Sequence, residues 1–302
     1  MKIKNKIVAF LLAAVMTLGL ASCTSSPISI DKDREGNSIT LPDKIEKVIS
    51  VGASNTEILV ALGCAGKIIA ADTYSAMVEG VPAGIPSFSQ MRPDGEQIIN
   101  LEPDVIFVTG MSKAGGNDPF AVVKEVGICV IYMPSSDSLE GIYEDIRFIA
   151  SVMGEKKAGD KIVTDMEKEI KAIKSIGDKI TDKKTVYFEI SAAPYMYSCG
   201  DETYLNMMIE LIGAVNIFAS QKGWLSISDE AVFDANPDVI LTSVDYMPDP
   251  TGEIKLRDGW NTITAVKKGD VYYIDTDSSN RPNHNIIKAL KEMAKAVYPD
   301  KY

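Results

Sequence analysis

The chain has 302 residues, 46% of them hydrophobic, and sets 31 lysines and arginines against 42 aspartates and glutamates, for a net charge of −11 at pH 7. That acidity argues against nucleic acid and against a peripheral protein held by charge to an anionic membrane. One histidine (His284) gives no basis for a histidine-built metal site, and four cysteines (Cys23, Cys64, Cys129, Cys199) without a C-x-x-C pair give none for a disulfide framework.

The first element is a leader. Lys2, Lys4 and Lys6 precede an apolar run from Ile7 to Leu18, shorter than the ~20 residues of a membrane-spanning helix. The run closes in Leu20-Ala21-Ser22-Cys23, which resembles the lipobox of a bacterial lipoprotein signal. The expected division is a signal peptide over 1–22, with Cys23 as the lipidated first residue. A tether follows over 23–36, opening with the flexible tract Thr24-Ser25-Ser26-Pro27.

Beyond the tether, strands and helices alternate. Lys47–Val51 reads as a β-branched strand. A helix is expected over Asn55–Leu62, capped by Ser54 with Glu57 completing a capping box and Gly63 ending it. Further strands fall at Ile68–Ala71, Val105–Thr109 and Cys129–Met133, the last holding Cys129 as a small buried hydrophobe. Ile142, Ile146, Ile149 and Met153 recur at helical spacing, as do Ile162, Met166, Ile170 and Ile173, with Gly154 between the two helices. The second helix, ~20 residues and so ~30 Å long, is expected to cross from one lobe to another, the alternative being that both helices only cover the first sheet. Strands at Thr185–Ile190, Val239–Thr242 and Val271–Ile274 follow, with a helix around Leu205–Ile212 closed by Gly213. Short continuous apolar strands between helices indicate α/β lobes with parallel sheets covered on both faces.

A duplication supports two lobes. Glu96, seven residues ahead of Pro103-Asp104-Val105-Ile106, recurs as Glu230 ahead of Pro237-Asp238-Val239-Ile240. Each copy reads as a helix stopped by proline and followed by a buried strand. The expected boundaries are an N-terminal lobe over 37–153, a bridging helix over 154–180 and a C-terminal lobe over 181–302.

The order of these segments resembles the solute-binding lipoproteins of ABC importers for iron complexes and vitamin B12. The likeness rests on Val48-Ile49-Ser50-Val51 with Ser54-Asn55-Thr56-Glu57, on Ala61-Leu62-Gly63 and on both Pro-Asp-Val-Ile segments. It continues through Ile212-Gly213-Ala214-Val215-Asn216-Ile217-Phe218, Asp258-Gly259-Trp260-Asn261, Ala265 to Tyr272 and Arg281-Pro282. Together they cover essentially the whole chain. The resemblance implies the class III periplasmic-binding-protein fold: two Rossmann-like lobes with parallel central sheets, joined by a single long helix, with little hinge closure. It implies a monomer without enzymatic activity or cofactor, lipid-anchored on the outer face of the bacterial cytoplasmic membrane. The partners implied are a metal-chelate (siderophore-type or haem) or corrinoid ligand and an ABC permease dimer with its cytoplasmic ATPase. A cobalamin-specific binder is the alternative within the family.

Ligands of doubly wound sheets sit at the strands' C-terminal ends. The strand-end loops there offer Ser54, Asn55, Tyr74, Met91, Arg92, Met111 and Ser112 from the first lobe, and Tyr195, Tyr197, Trp224, Tyr246 and Arg281 from the second. Aromatic and methionine side chains suit a flat apolar ligand, and arginine suits carboxylate, catecholate or propionate oxygens. Trp224 stands where B12 binders of the family also carry a tryptophan. The scarcity of basic residues in these loops argues against a highly anionic catecholate complex. Glu96 and Glu230 match the family's glutamates that pair with arginines of the permease. A rival reading takes Gly52-Ala53-Ser54-Asn55-Thr56 as a nucleophile elbow and His284 as the base of a secreted serine hydrolase, although Thr56 replaces the elbow's second glycine. Gly115-Gly116 lacks the spacing of a nucleotide-binding loop.

Overall fold

The computed structural model describes residues 30–113 and 118–302. The expected leader over 1–22, Cys23, most of the expected tether over 23–36, Gly115-Gly116 and the side chain of Met111 lie outside the described residues.

In the first half, β1 (Val48–Ser50), α1 (Ala53–Ala61), β2 (Ile68–Asp72), β3 (Ser87–Phe88), α2 (Gly95–Asn100), β4 (Val105–Thr109), α3 (Ala121–Glu125) and β5 (Cys129–Met133) build a five-stranded parallel sheet of order β3-β2-β1-β4-β5. Two helices follow, α4 (Leu139–Val152) and the 22-residue α5 (Lys156–Gly177). The second half contains β6 (Thr185–Glu189), β7 (Tyr197–Cys199), α6 (Tyr204–Leu211), β8 (Val215–Asn216), β9 (Trp224–Ser226), α7 (Asp229–Ala235), β10 (Val239–Thr242), α8 (Pro250–Leu256), α9 (Thr264–Lys268) and β11 (Val271–Tyr273), and ends in α10 (Thr276–Asn280) and α11 (Ile286–Val297). Its parallel sheet has the order β11-β10-β6-β8, with β7 and β9 forming a separate antiparallel ribbon.

The strands are apolar throughout because both faces of each sheet are buried. Val105 and Phe107 of β4 point into one core while Ile106 and Val108 point into another. Val239 and Leu241 of β10 face away from Ile240 in the same alternation. One core is common to both lobes. It runs from Val48, Phe107 and Ile131 through Ile146, Val163, Met166 and Ile170 to Val186, Phe188 and Leu241. The long helix α5 carries this shared core from lobe to lobe, so any rotation of one lobe against the other must disturb close-packed side chains. At its end the backbones nearly touch: a Cβ added to Gly177 would lie 2.3 Å from the Leu211 carbonyl oxygen.

The duplicated segments adopt equivalent structures. In both copies the residue before proline is left-handed, with φ of 49° at Glu102 and 43° at Asn236. The helices therefore end ahead of Pro103 and Pro237, and the prolines prevent their resumption. The following aspartates brace the sheets. Asp104 Oδ2 accepts the Glu46 and Lys47 amides at 2.6 and 2.8 Å, and Asp238 Oδ2 accepts the Thr185 amide at 3.0 Å. Each Pro-Asp pair thus fastens its own strand to the start of the neighbouring one.

Two local expectations are corrected. Cys129 is half-buried and not buried. Ser54 does not cap α1. Gly52 stands at the cap with φ of 94°, Ser54 lies inside the first turn, and no side chain caps the helix. The tight turn from β1 requires a backbone conformation that glycine adopts freely, and the helix starts immediately after it. Glu57 consequently does not close a capping box but reaches across to the other lobe.

Candidate functional site

All five strands of the first sheet contribute their C-terminal ends to one cavity of about 230 Å³. Gly52 to Asn55 follow β1, Asp72 and Tyr74 end and follow β2, and Gln90 follows β3. Thr109 ends β4, and Pro134 and Ser135 follow β5. The second lobe borders the cavity with Asn280, Arg281 and Pro282. This is the crevice that a doubly wound sheet opens where its strand order reverses, here between β1 and β4.

The walls are held by satisfied polar groups. Asp72, 1% exposed, accepts from the Gly52 amide at 2.6 Å, the Tyr74 amide at 3.0 Å and the Ser75 hydroxyl, fixing the β1 and β2 loops against each other. A Cβ at Gly52 would lie 2.2 Å from Thr109 Cγ2. Thr109 Oγ1 is buried without a hydrogen-bond partner among the described residues, so the wall keeps an unused hydroxyl. Tyr74 is 59% exposed and presents its ring at the cavity.

The lobes are joined beside the cavity. Glu57 on α1, 7% exposed, accepts from the Arg281 guanidinium, from Asn283 Nδ2 at 2.5 Å and from Asn285 Nδ2 at 2.8 Å. Arg281 also pairs with Asp277. The Ser54 hydroxyl donates to the Pro282 carbonyl at 2.7 Å. A second bridge forms at Trp224, whose indole N–H donates to Asp137 Oδ1 at 2.9 Å and whose ring lies edge-on to Tyr204, centroids 5.5 Å apart.

Of the residues singled out in the sequence, Ser54, Asn55, Tyr74 and Arg281 line this cavity. Met91 and Arg92, exposed, directly follow Gln90 of the wall. Tyr246, in the loop after β10, accepts the Ala192 amide at 2.8 Å and does not reach the cavity wall, nor does Trp224. Tyr195 and Tyr197 are exposed, and Ser112 is buried. Asp72, Gln90, Thr109, Ser135 and Asn280 were missed. Their signal was positional, since each sits at or just past the C-terminal end of a strand or helix at the cleft. Glu96 and Glu230 are exposed second residues of α2 and α7, equivalent places in the two lobes. Hydrogen bonds from the Ser228 hydroxyl and its own amide hold Glu230 below the ordinary glutamate pKa.

Ser54 and His284 do not form a catalytic pair. The serine donates to a carbonyl, and His284 Nδ1 is buried without a partner among the described residues. Burial lowers the His284 pKa below the usual 6.5, opposed by the charge of Glu57.

A cavity at the C-terminal ends of one parallel sheet, walled by fixed polar groups and bordered by a second lobe, is the kind of site a solute-binding protein presents. The chain matches the periplasmic binding protein family over residues 48–278, and it belongs to that family. It is 31% identical to the uncharacterized ABC transporter substrate-binding lipoprotein YvrC of Bacillus subtilis, across 97% of this chain and 96% of the relative. Identity to the vitamin B12-binding protein of Vibrio parahaemolyticus is 25%, across 85% and 91% of the two chains. The crystal structure of a "possible" iron-binding (periplasmic solute-binding) protein from Staphylococcus epidermidis superposes with a TM-score of 0.75 at 29% identity, covering 85% of this chain and all of the other.

Proposed function

We propose that this chain is the extracytoplasmic substrate-binding lipoprotein of an ABC importer, capturing an iron chelate or a corrinoid and delivering it to the permease. The observation that carries the reading is the interlobe cavity at the strands' C-terminal ends, within a family whose named relatives bind such solutes. A haem- or corrinoid-sized ligand exceeds about 230 Å³, since even drug-sized ligands take sites of ~300–1,000 Å³. The cavity therefore takes part of the cargo, in contact with Ser54, Asn55, Tyr74 and Arg281. Met91, Arg92, Met111, Trp224 and Tyr246 are the proposed further contacts of the remainder. The lobes span 37–153 and 181–302 with the bridge over 154–180, and Glu96 and Glu230 dock one lobe each on the permease dimer.

Replacing Tyr74 by Ala removes a ring from the wall and is expected to weaken cargo binding by ~1–3 kcal/mol, measured by calorimetry. Unchanged affinity would remove Tyr74 from the site. Lipid attachment is tested apart from binding. A Cys23→Ser protein is expected to be released or left unprocessed, and its recovery in the membrane fraction in processed form would contradict the anchor.

A further inference from the structure

The charged groups lining the cavity are Asp72, Asp145 and Arg281. Asp72 is spent on the β1 and β2 loops, and Asp145 is held by Arg34 and by the Ser136 hydroxyl at 2.7 and 2.5 Å. Arg281 is the one cation of the wall among the described residues. Its guanidinium is engaged by Glu57 on one side and Asp277 on the other. The Glu57 side chain is 8% exposed and that of Asp277 62%, so the inner partner is the strong one and the outer one is screened by water. A guanidinium already facing two carboxylates adds no net positive potential for a ligand's anionic oxygens.

We propose that Glu57 is a specificity-determining residue: by neutralising Arg281 from behind the wall it tunes the cleft to neutral or cationic chelates and against anionic ones. The inference rests on the solute-binding reading above but concerns the sign of the cargo's charge, which that reading leaves open. Glu57 does this without lining the cavity itself. It stands behind Arg281 on a separate groove, which it lines together with Glu79, Asp275, Asp277 and Lys288, the last paired with Asp275 at 3.0 Å. The carboxylates of that groove outnumber its two cations, Arg281 and Lys288, which adds to the effect.

The test measures Kd of purified protein for a ferric triscatecholate, net negative, and for ferrioxamine, a trihydroxamate without free anionic groups. The quantity read is the ratio of the two, which a general loosening of the cleft leaves alone. Wild type is expected to prefer ferrioxamine. Glu57→Gln, which keeps the shape and removes the charge while turning one acceptor oxygen into an NH2 that faces a donor, is expected to shift the ratio toward the triscatecholate by at least tenfold. Asp277→Asn, on the exposed side of the same guanidinium, is expected to shift it in the same direction by a smaller factor and keeps the proposal testable if Glu57→Gln does not fold. Adding Arg281→Gln to either variant is expected to abolish the shift. A ratio unmoved by both single variants, or a wild type that already prefers the triscatecholate, would overturn the proposal. Failure of wild type to bind any chelate or corrinoid, with triscatecholate binding gained in Glu57→Gln, would support the charge assignment while counting against the cargo class.

Discussion

Cells carrying Glu96→Ala together with Glu230→Ala are expected to take up labelled cargo at least tenfold more slowly than wild type, while the purified double variant keeps its ligand affinity. The two carboxylates occupy the second position of equivalent helices, seven residues ahead of equivalent Pro-Asp pairs, and both are exposed. Neither borders the cavity. A receptor built from two related lobes offers a two-fold permease two similar anchors, and charged contacts at an interface rim chiefly govern docking. One lost charge-assisted contact is worth ~1.5–3 kcal/mol, roughly tenfold or more per anchor if both were needed independently. Single variants are expected to retain more transport than the double, because the remaining anchor still orients the complex. Glu→Lys at both sites is expected to be worse again through repulsion. Wild-type uptake by the double variant, or a parallel loss of affinity and uptake, would contradict the docking role.

The largest effect on stability is expected at Arg257, which does not line the cavity. Glu189 ends β6 fully buried, and its two oxygens accept from Arg257 Nη1 and Nη2 at 2.6 and 3.0 Å. The guanidinium also lies 4.5 Å from the centre of the Trp260 ring and bonds Glu253. Burial pushes the Glu189 pKa up, and the Arg257 pair opposes that. Arg257→Ala strands a buried carboxylate, which costs ~3–5 kcal/mol when one partner of such a pair is removed. At ~2–4 °C per kcal/mol for a chain of this size, the melting temperature is expected to fall by roughly 10 °C. Lys255→Ala, exposed on the helix that Arg257 follows, is the control and is expected to change stability by less than ~0.5 kcal/mol. Equal melting temperatures for the two variants would show that the pair contributes little.

The fold was legible because its signals are local and repeated. Apolar runs such as Val105–Thr109 and Cys129–Met133 begin and end as strands where the β-branched stretches do, and Gly154 separates α4 from α5 with φ of 76°. The site was legible only in part. Ser54, Asn55, Tyr74 and Arg281 follow from strand-end logic, whereas the role of Glu57 depends on groups far away in sequence and that of Asp72 on meeting the Gly52 amide of the neighbouring strand's loop. Glu57 meets Arg281 across 224 positions, and no helical pattern announces that partner. The capping-box reading failed for the same reason, since a serine and a glutamate at the right spacing satisfy the local rule while both side chains bond to the opposite lobe. Pro-Asp looked like punctuation between helix and strand. Its aspartate proved to be a clamp on the neighbouring strand, visible only once the sheet order is known.

The most direct test of the central claim is titration of the purified protein with cyanocobalamin, cobinamide, haem, ferrioxamine and a ferric triscatecholate, followed by intrinsic tryptophan fluorescence and by recovery of the ligand. Trp224 bridges the lobes through Asp137 close to Ser135 of the cavity wall, which makes it a suitable reporter of cleft occupancy. Saturable one-to-one binding of at least one of these compounds, recovered chemically unchanged, is the predicted result. Absence of binding across the panel, or conversion of a bound compound to product in a reaction lost in Ser54→Ala, would contradict it.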